Sequence, residues 1–340
     1  MPHLYIGSNG LSLWTSPDNG ETLSRMSTGT GLYSGSQVWS LASHPSRPND
    51  LLVGADTGIH RLDRSSGACR LMPSPMDETL VTAIAYAPAD PDTIFAGTQP
   101  AGLYRSRDAG KSWQKLDAAM KPHVATGFPG ADVLQGNKDA NADILVKHWT
   151  RVTSILPDPE NAQVIWAGVE IDGAWRSVDG GDHWERASRG LVTDDIHGFI
   201  LVRNGSRKLY AATNRGLHVS EDAGDNWNLQ RIDSPWQYTR SVVARADNSG
   251  VMFLTNGDGP PGTDGRLHRS RDYGAHWENI PLPAEIQSSV YFLATNPADS
   301  NLIFVATNLG QLFRSSDGGE SWIALKRRLG EIRAITWLPD

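Results

Sequence analysis

The 340-residue chain contains a single cysteine, Cys69, so an intramolecular disulfide framework and a cysteine-cluster metal site are both excluded. No apolar run approaches the roughly 18 residues that a membrane-spanning helix requires. An excess of positive charge is also missing: 31 Lys and Arg face 38 Asp and Glu, for a net charge of -7. That balance leaves no electrostatic footprint for a nucleic acid, and neither nucleic acid nor membrane is expected as a partner. The N-terminus, Met1-Pro2-His3-Leu4-Tyr5, has no basic segment followed by an apolar one, so the expected location is cytoplasmic unless a leader has been removed. There are 10 His but no His-x-His or His-Glu-x-x-His spacing, and no metal or cofactor is expected. Hydrophobic residues make up 39%, enough for a packed core. What the chain has in excess is glycine, 34 residues, and tryptophan, 12 residues.

A repeat accounts for both. The octapeptide Ser106-Arg-Asp-Ala-Gly-Lys-Ser-Trp113 returns as Ser177-Val-Asp-Gly-Gly-Asp-His-Trp184, and again at 220–227, 270–277 and 315–322. A copy without Trp lies at Ser16-Pro-Asp18-Asn-Gly20, and an eroded one at Asp63-Arg-Ser-Ser-Gly67. Asp18 and Asp108 are 90 residues apart, two periods of 45 with the eroded copy between them. The later steps, to Asp179, Asp222, Asp272 and Asp317, are 71, 43, 50 and 45 residues. The two ends of the chain supply one further period between them. Seven units result, one of them split across the termini.

Each unit reads as four short strands, as in Val81–Pro88, Thr93–Gly97, Gly102–Ser106 and Trp113–Leu116. Short β-branched or aromatic runs bounded by Gly, Asp and Pro are strand signals. Four strands in a unit of about 45 residues is the period of a propeller blade. The closing run, Ile332–Pro339, matches the first strand of the other units, whereas the chain starts on the second, Leu4–Gly7. The expected fold is therefore all-β: a single seven-bladed β-propeller over 1–340, with four antiparallel strands per blade. The C-terminal strand should join the N-terminal blade and close the ring. A length that suggests two or three domains becomes one domain with a loop insertion at 117–150.

The Ser-x-Asp-x-Gly-x-x-Trp octapeptide resembles the Asp box, or bacterial neuraminidase repeat. It is found in propellers of sialidases, xyloglucan-degrading glycosidases, sortilin-type receptors and photosystem assembly factors. The resemblance covers nearly the whole chain and implies the fold. Function it leaves open, because such scaffolds carry both glycosidases and pure binders. Within the box, Asp is suited to accept backbone N–H bonds in its own turn and Gly to positive φ, with Trp as a packing plug. His60, His218 and His268 occupy a third-strand position filled elsewhere by Trp14, Tyr104, Trp175 and Phe313, and read as packing.

Innermost strands surround the central channel. Aligning the seven first strands on their apolar positions gives one column of varied residues: Trp39, Thr82, Thr153, His197, Arg240, Tyr291 and Arg333. Its neighbours are apolar, such as Leu41, Ile84, Ile155, Phe199, Val242, Leu293 and Ile335. Blade packing does not set a column that varies this much. One reading is a polar pocket, with Arg240 and Arg333 clamping a carboxylate, sulfate or phosphate. In that pocket His197 would be the acid or base, Tyr291 a proton donor and Trp39 a stacking surface, with Thr82 and Thr153 completing the ring. The other reading pairs the two arginines with carboxylates between blades.

Three enlargements fall on the loops of that same face. These are 117–150, carrying Lys121, His123, Lys147, His148 and Trp149, then Asn256–Gly265 with Asp258, then Ser234–Tyr238. Bulk on one face of a repeat scaffold marks a binding face. Glu170, Asp56, Asp172, Asp195, Asp264 and Glu331 are carboxylates able to reach it. Glu170 with a second acid would suit glycoside cleavage.

Three functions remain open. A sialidase would need six blades and a Phe/Tyr-Arg-Ile-Pro run, and neither is found. A hydrolase of glycosidase-like ancestry, or a lyase using His197 and Tyr291 for β-elimination, would act on a small anionic molecule or glycan. A non-catalytic module would hold a protein or peptide on the same face, as assembly and scaffold factors do.

Overall fold

The computed structural model describes residues 1–26, 31–120 and 150–340. The octapeptide explains where the chain turns. At 106–113 the Ser106 hydroxyl donates to Asp108 Oδ1 and accepts the Gly110 N–H, both at 2.8 Å. Asp108 in turn accepts the Ser112 N–H on Oδ1 (2.8 Å) and the Ser112 hydroxyl on Oδ2 (2.7 Å). Two short side chains thus satisfy N–H groups that a tight turn takes out of the strand ladder. Gly110 stands at φ 83°, where a Cβ is penalised. The same bond to the N–H four residues on recurs at Asp18, Asp179, Asp222, Asp272 and Asp317. In the eroded copy Asp63 instead caps Ser65 and Ser66.

These turns link the outer strands of seven four-stranded antiparallel sheets. Blades 2 to 7 occupy 38–71, 80–115, 151–186, 196–230, 238–280 and 290–324. Blade 1 unites Ile332–Leu338 with His3–Ser8, Leu13–Ser16 and Ser24–Arg25, in a register that sets Leu4 opposite Trp337 and Ile6 opposite Ile335. The two ends of the chain therefore share one sheet, as expected, and close the ring.

Between blades the core is apolar. Phe95 and Leu103 of blade 3, for example, pack with Val152, Ile165, Val169 and Trp175 of blade 4. The third-strand histidines belong to this packing. His218 and His268 are buried, and loss of hydration lowers both pKa values to about 4, so they sit neutral at pH 7.

A second repeated contact holds neighbouring blades together. The residue after the aromatic or His position in the third strand is usually Arg, and it reaches the octapeptide turn of the next blade. Arg61 donates to Ala109 O (2.7 Å), Arg105 to Gly180 O (2.6 Å) and Arg176 to Ala223 O (3.0 Å). Arg269 donates to Gly319 O (2.9 Å), and Arg314 to Asn19 O (2.8 Å) across the ring closure. In blade 5 that position is Val219, and Gln230 Nε2 donates to Gly274 O (2.7 Å) instead. A charged donor on a carbonyl stabilises by about 1.5–3 kcal/mol.

Candidate functional site at the channel mouth

Each first strand breaks register with its partner near its start, and the residue left over there is the one in the varied column. In blade 2, Val38 pairs with Ala55 and Ser40 with Gly54, so Trp39 is extra. The same shift leaves Thr82, Thr153, His197, Tyr291 and Arg333 unpaired, and in blade 6 it falls at Arg240 and Ser241. A bulge turns its extra side chain out of the pleat, which aims all seven residues at the axis. Small residues allow the inner strands to crowd there. A Cβ on Gly54 would lie 2.6 Å from Val81 O, and one on Gly97 2.4 Å from Val152 Cγ1.

Two hollows flank this constriction. The outer, of about 760 Å³, is the channel mouth and is lined by Arg151, Glu170, Arg240, Asp258, Tyr291 and Arg333, among others. The inner, of about 270 Å³, is lined by Trp39, Thr82, Thr153, His197 and Phe199. Arg151, Arg240, Tyr291 and Arg333 border both.

The arginines are not equivalent. Arg333 pairs with Glu331, two residues earlier in the chain, and Asn9 Nδ2 donates to the other oxygen of Glu331 (2.6 Å). Arg151 pairs with Glu170 of its own blade. Both guanidiniums lie over the Trp39 ring, at 4.2 Å for Arg333 and 4.9 Å for Arg151. Burial, and then the neighbouring arginines, lower the Arg333 pKa to about 10 against the pull of Glu331. Arg240 lies 4.9 Å over Tyr291 and has no carboxylate within ion-pair distance among the described residues. Burial works against its charge, but Tyr238, Tyr291, Glu170 and Asp195 outweigh that and raise its pKa above the ordinary arginine value. The expected two-arginine clamp therefore takes a different form. Among the described residues Arg333 has a counter-ion and Arg240 does not, and the partners of Arg333 and Arg151 lie on their own strand or blade, not between blades.

The remaining candidates can be placed one by one. His197 is deep, its side chain 1% exposed, with Nδ1 2.6 Å from Thr239 O and Nε2 3.3 Å from Asp195 Oδ1. Burial works against the Asp195 carboxylate, yet His197, Arg240 and Arg151 together keep its pKa below the usual range. Tyr291 is 2% exposed, and its hydroxyl lies 3.1 Å from that of Tyr238. The Thr82 and Thr153 hydroxyls donate to Val152 O and Ile196 O of the next blade, each at 2.6 Å. Asp258 accepts the Thr263 and Asp264 N–H groups and the Thr263 hydroxyl, bracing its own loop. His148 and Trp149, with most of the 117–150 insertion, lie outside the described residues. The enlarged segments at 234–238 and 256–265 do meet at the mouth, where Trp236, Tyr238, Asp258, Pro260 and Pro261 line one cavity.

Arg151 and Tyr238 were not among the residues singled out. They belong to a second column, two positions before the first: Gln37, Leu80, Arg151, Asp195, Tyr238, Ser289 and Glu331. Residues two apart on a strand share a face. That spacing was readable in the sequence, and it pairs Asp195 with His197 and Glu331 with Arg333. Among the described residues, no three His, Cys, Asp or Glu side chains gather as a metal site would require.

The fold and this mouth define a seven-bladed β-propeller with a charged, open channel entrance. No family model matches the chain. It is 25% identical over 287 residues to a xyloglucanase of Paenibacillus sp., covering 71% of this chain and 26% of that protein. A xyloglucanase of Hypocrea jecorina is 30% identical over 197 residues, 56% of this chain and 19% of that one. The photosystem II assembly lipoprotein Ycf48 of Synechococcus sp. is 26% identical over 132 residues, 39% of this chain and 34% of the relative. The chain thus spans about a tenth to a third of the length of the curated relatives it matches. Among solved structures, the Niastella koreensis GH74 enzyme superposes with a TM-score of 0.63 at 19% identity, over 84% of this chain and 45% of that one. Ycf48 bound to a D1 peptide superposes with a TM-score of 0.54 at 12% identity, over 85% and 84%. These structural likenesses concern the fold.

Proposed function

We propose that this propeller is a binding module that captures an anionic group of its ligand at the channel mouth, on Arg240. The observation that carries the reading is the contrast among the arginines: Arg151 and Arg333 have counter-ions, whereas Arg240 faces a 760 Å³ cavity without one among the described residues. Retaining the Arg240 cation costs desolvation, and an incoming carboxylate offsets that cost through a forked pair of hydrogen bonds. Binding is preferred to hydrolysis because, among the described residues, the carboxylates at the mouth are all engaged. Glu170 and Glu331 hold arginines, Asp195 faces His197, and Asp258 holds its loop. Titration calorimetry with benzoate is the test. Arg240→Gln should weaken binding at least tenfold with the fold intact, and equal affinity in the variant would reject the reading.

A glycosidase remains the second reading, favoured by similarity to xyloglucanases over as much as 71% of the chain. Glu170 and Tyr291, with His197 behind them, are then the reacting groups. Release of reducing ends from a xyloglucan, lost in both Glu170→Gln and Tyr291→Phe, would establish it in place of simple binding.

A further inference from the structure

The groups at the mouth divide into those already bonded and those left open, and the open set describes a ligand. Gln237 is committed: its amide donates to Ile232 O and Ser234 O and accepts the Ile232 N–H. Asp258, Glu170 and Glu331 are committed as well. On the cavity, Arg240, the exposed Arg215, Asn214 and Asn308 make neither a side-chain hydrogen bond nor an ion pair to a described residue. Asn308 is 2% exposed and lines the cavity without a side-chain hydrogen bond to a described residue. Asn214 likewise has its Oδ1 buried without a partner. The two carboxamides occupy the same second-to-third-strand turn, Thr213-Asn214 and Thr307-Asn308, in the blades on either side of the one that carries Arg240. A carboxamide offers one donor group and one acceptor, the complement of another amide.

The rest of the wall is apolar and preformed. Trp236, Pro260, Pro261 and Leu309 line the cavity with part of their surface in solvent. Trp236 is fixed from behind by the Arg266 guanidinium, 5.3 Å over its ring, and by Asn256 Nδ2, which donates to its carbonyl (3.0 Å). The proline segment is fixed by Ser289, whose hydroxyl donates to Gly259 O (2.5 Å) and accepts the Gly259 N–H (3.4 Å). Preorganised walls of this kind lower the ordering cost of binding.

We infer that the ligand is an α-amido carboxylate with an apolar side chain, meaning the C-terminal residue of a polypeptide or an N-acylated apolar amino acid. Its carboxylate sits on Arg240, its amide on Asn214 and Asn308, and its side chain on the Trp236–Pro260–Pro261–Leu309 wall. A sugar acid fits less well, because most polar groups of the wall are already bonded within it. This rests on the anion-binding reading above and adds the body of the ligand to its head.

The test is calorimetry on the full chain with five probes: N-acetylphenylalanine, its C-terminal amide, 3-phenylpropanoate, glucuronate, and a pentapeptide ending in free Phe. N-acetylphenylalanine is expected to bind at least tenfold tighter than each of its amide, phenylpropanoate and glucuronate. The pentapeptide binding tighter still would mark a polypeptide end as the source, and weaker binding the free N-acyl acid. The double variant Asn214→Ala/Asn308→Ala should bring N-acetylphenylalanine down to the level of phenylpropanoate while the acid-over-amide preference survives. Glucuronate binding as well as N-acetylphenylalanine, or phenylpropanoate doing so in the native chain, overturns the inference and leaves anion capture standing. Loss of the acid-over-amide preference in the native chain rejects anion capture itself.

Discussion

Replacing Glu331 by Gln separates the two roles of the mouth arginines. Glu331 is the counter-ion of Arg333, and the carboxamide of Gln keeps its size and its ability to accept from Asn9. Breaking a fully buried ion pair costs about 3–5 kcal/mol and an exposed one at most about 1. Here the side chains are 28% and 16% exposed, so a loss of about 1–2 kcal/mol is expected, read by urea denaturation. Arg333 stays cationic at neutral pH and gains the freedom that Arg240 already has. One charge-assisted contact contributes about 1.5–3 kcal/mol, so benzoate affinity should rise roughly tenfold or more. At about 100 times its Kd the anion then restores about 2.7 kcal/mol, enough to cancel the loss. A variant that loses stability without binding anions more tightly would refute the idea that Arg333 is masked by Glu331. Unchanged stability would refute the pair itself.

Two further outcomes follow from the packing between blades. His268 is 1% exposed with Nε2 buried and unpartnered, and its folded pKa of about 4 lies below the unfolded 6.5. The unfolded state therefore takes up the proton first as pH falls, so its contribution is full above pH 6.5 and is lost toward pH 4, on the order of 2–3 kcal/mol. His268→Phe, the residue type of Phe313 in the same column, should flatten the stability profile in that window, measured by denaturation at several pH values. Arg105, 4% exposed, donates to Gly180 O, Gln114 Oε1 and Asp182 Oδ1, so Arg105→Ala should cost about 2–4 kcal/mol and lower the melting temperature. A change below about 0.5 kcal/mol would count against the repeated clamp between blades.

Fold was legible because it is written seven times. The Ser-Asp-Gly turn needs its own residue types wherever it occurs, so local chemistry and spacing suffice to count blades and to pair the chain's ends. The varied column was legible for a related reason: a position freed from blade packing by a bulge accepts any side chain, and Trp, Thr, His, Arg and Tyr all appear there. The arginine clamp at 61, 105, 176, 269 and 314 was equally periodic but hidden, because an exposed-looking Arg on an outer strand resembles an ordinary surface charge until its carbonyl partner in the next blade is seen. Arg151 and Tyr238 were missed because only one column was followed on a face that holds two.

The sequence alone determined the architecture, the face that bears the loops and the residue types around the axis, since each depends on local turn geometry and on a period of about 45 residues. The tertiary structure decided which charges are free. Arg333 and Arg240 are the same residue type in the same column, yet one meets Glu331 and the other an open cavity. The Arg333 partner lies two residues away, a spacing the sequence holds, whereas what Arg240 meets depends on the side chains that other strands and blades bring to it, and a repeat pattern holds no record of those.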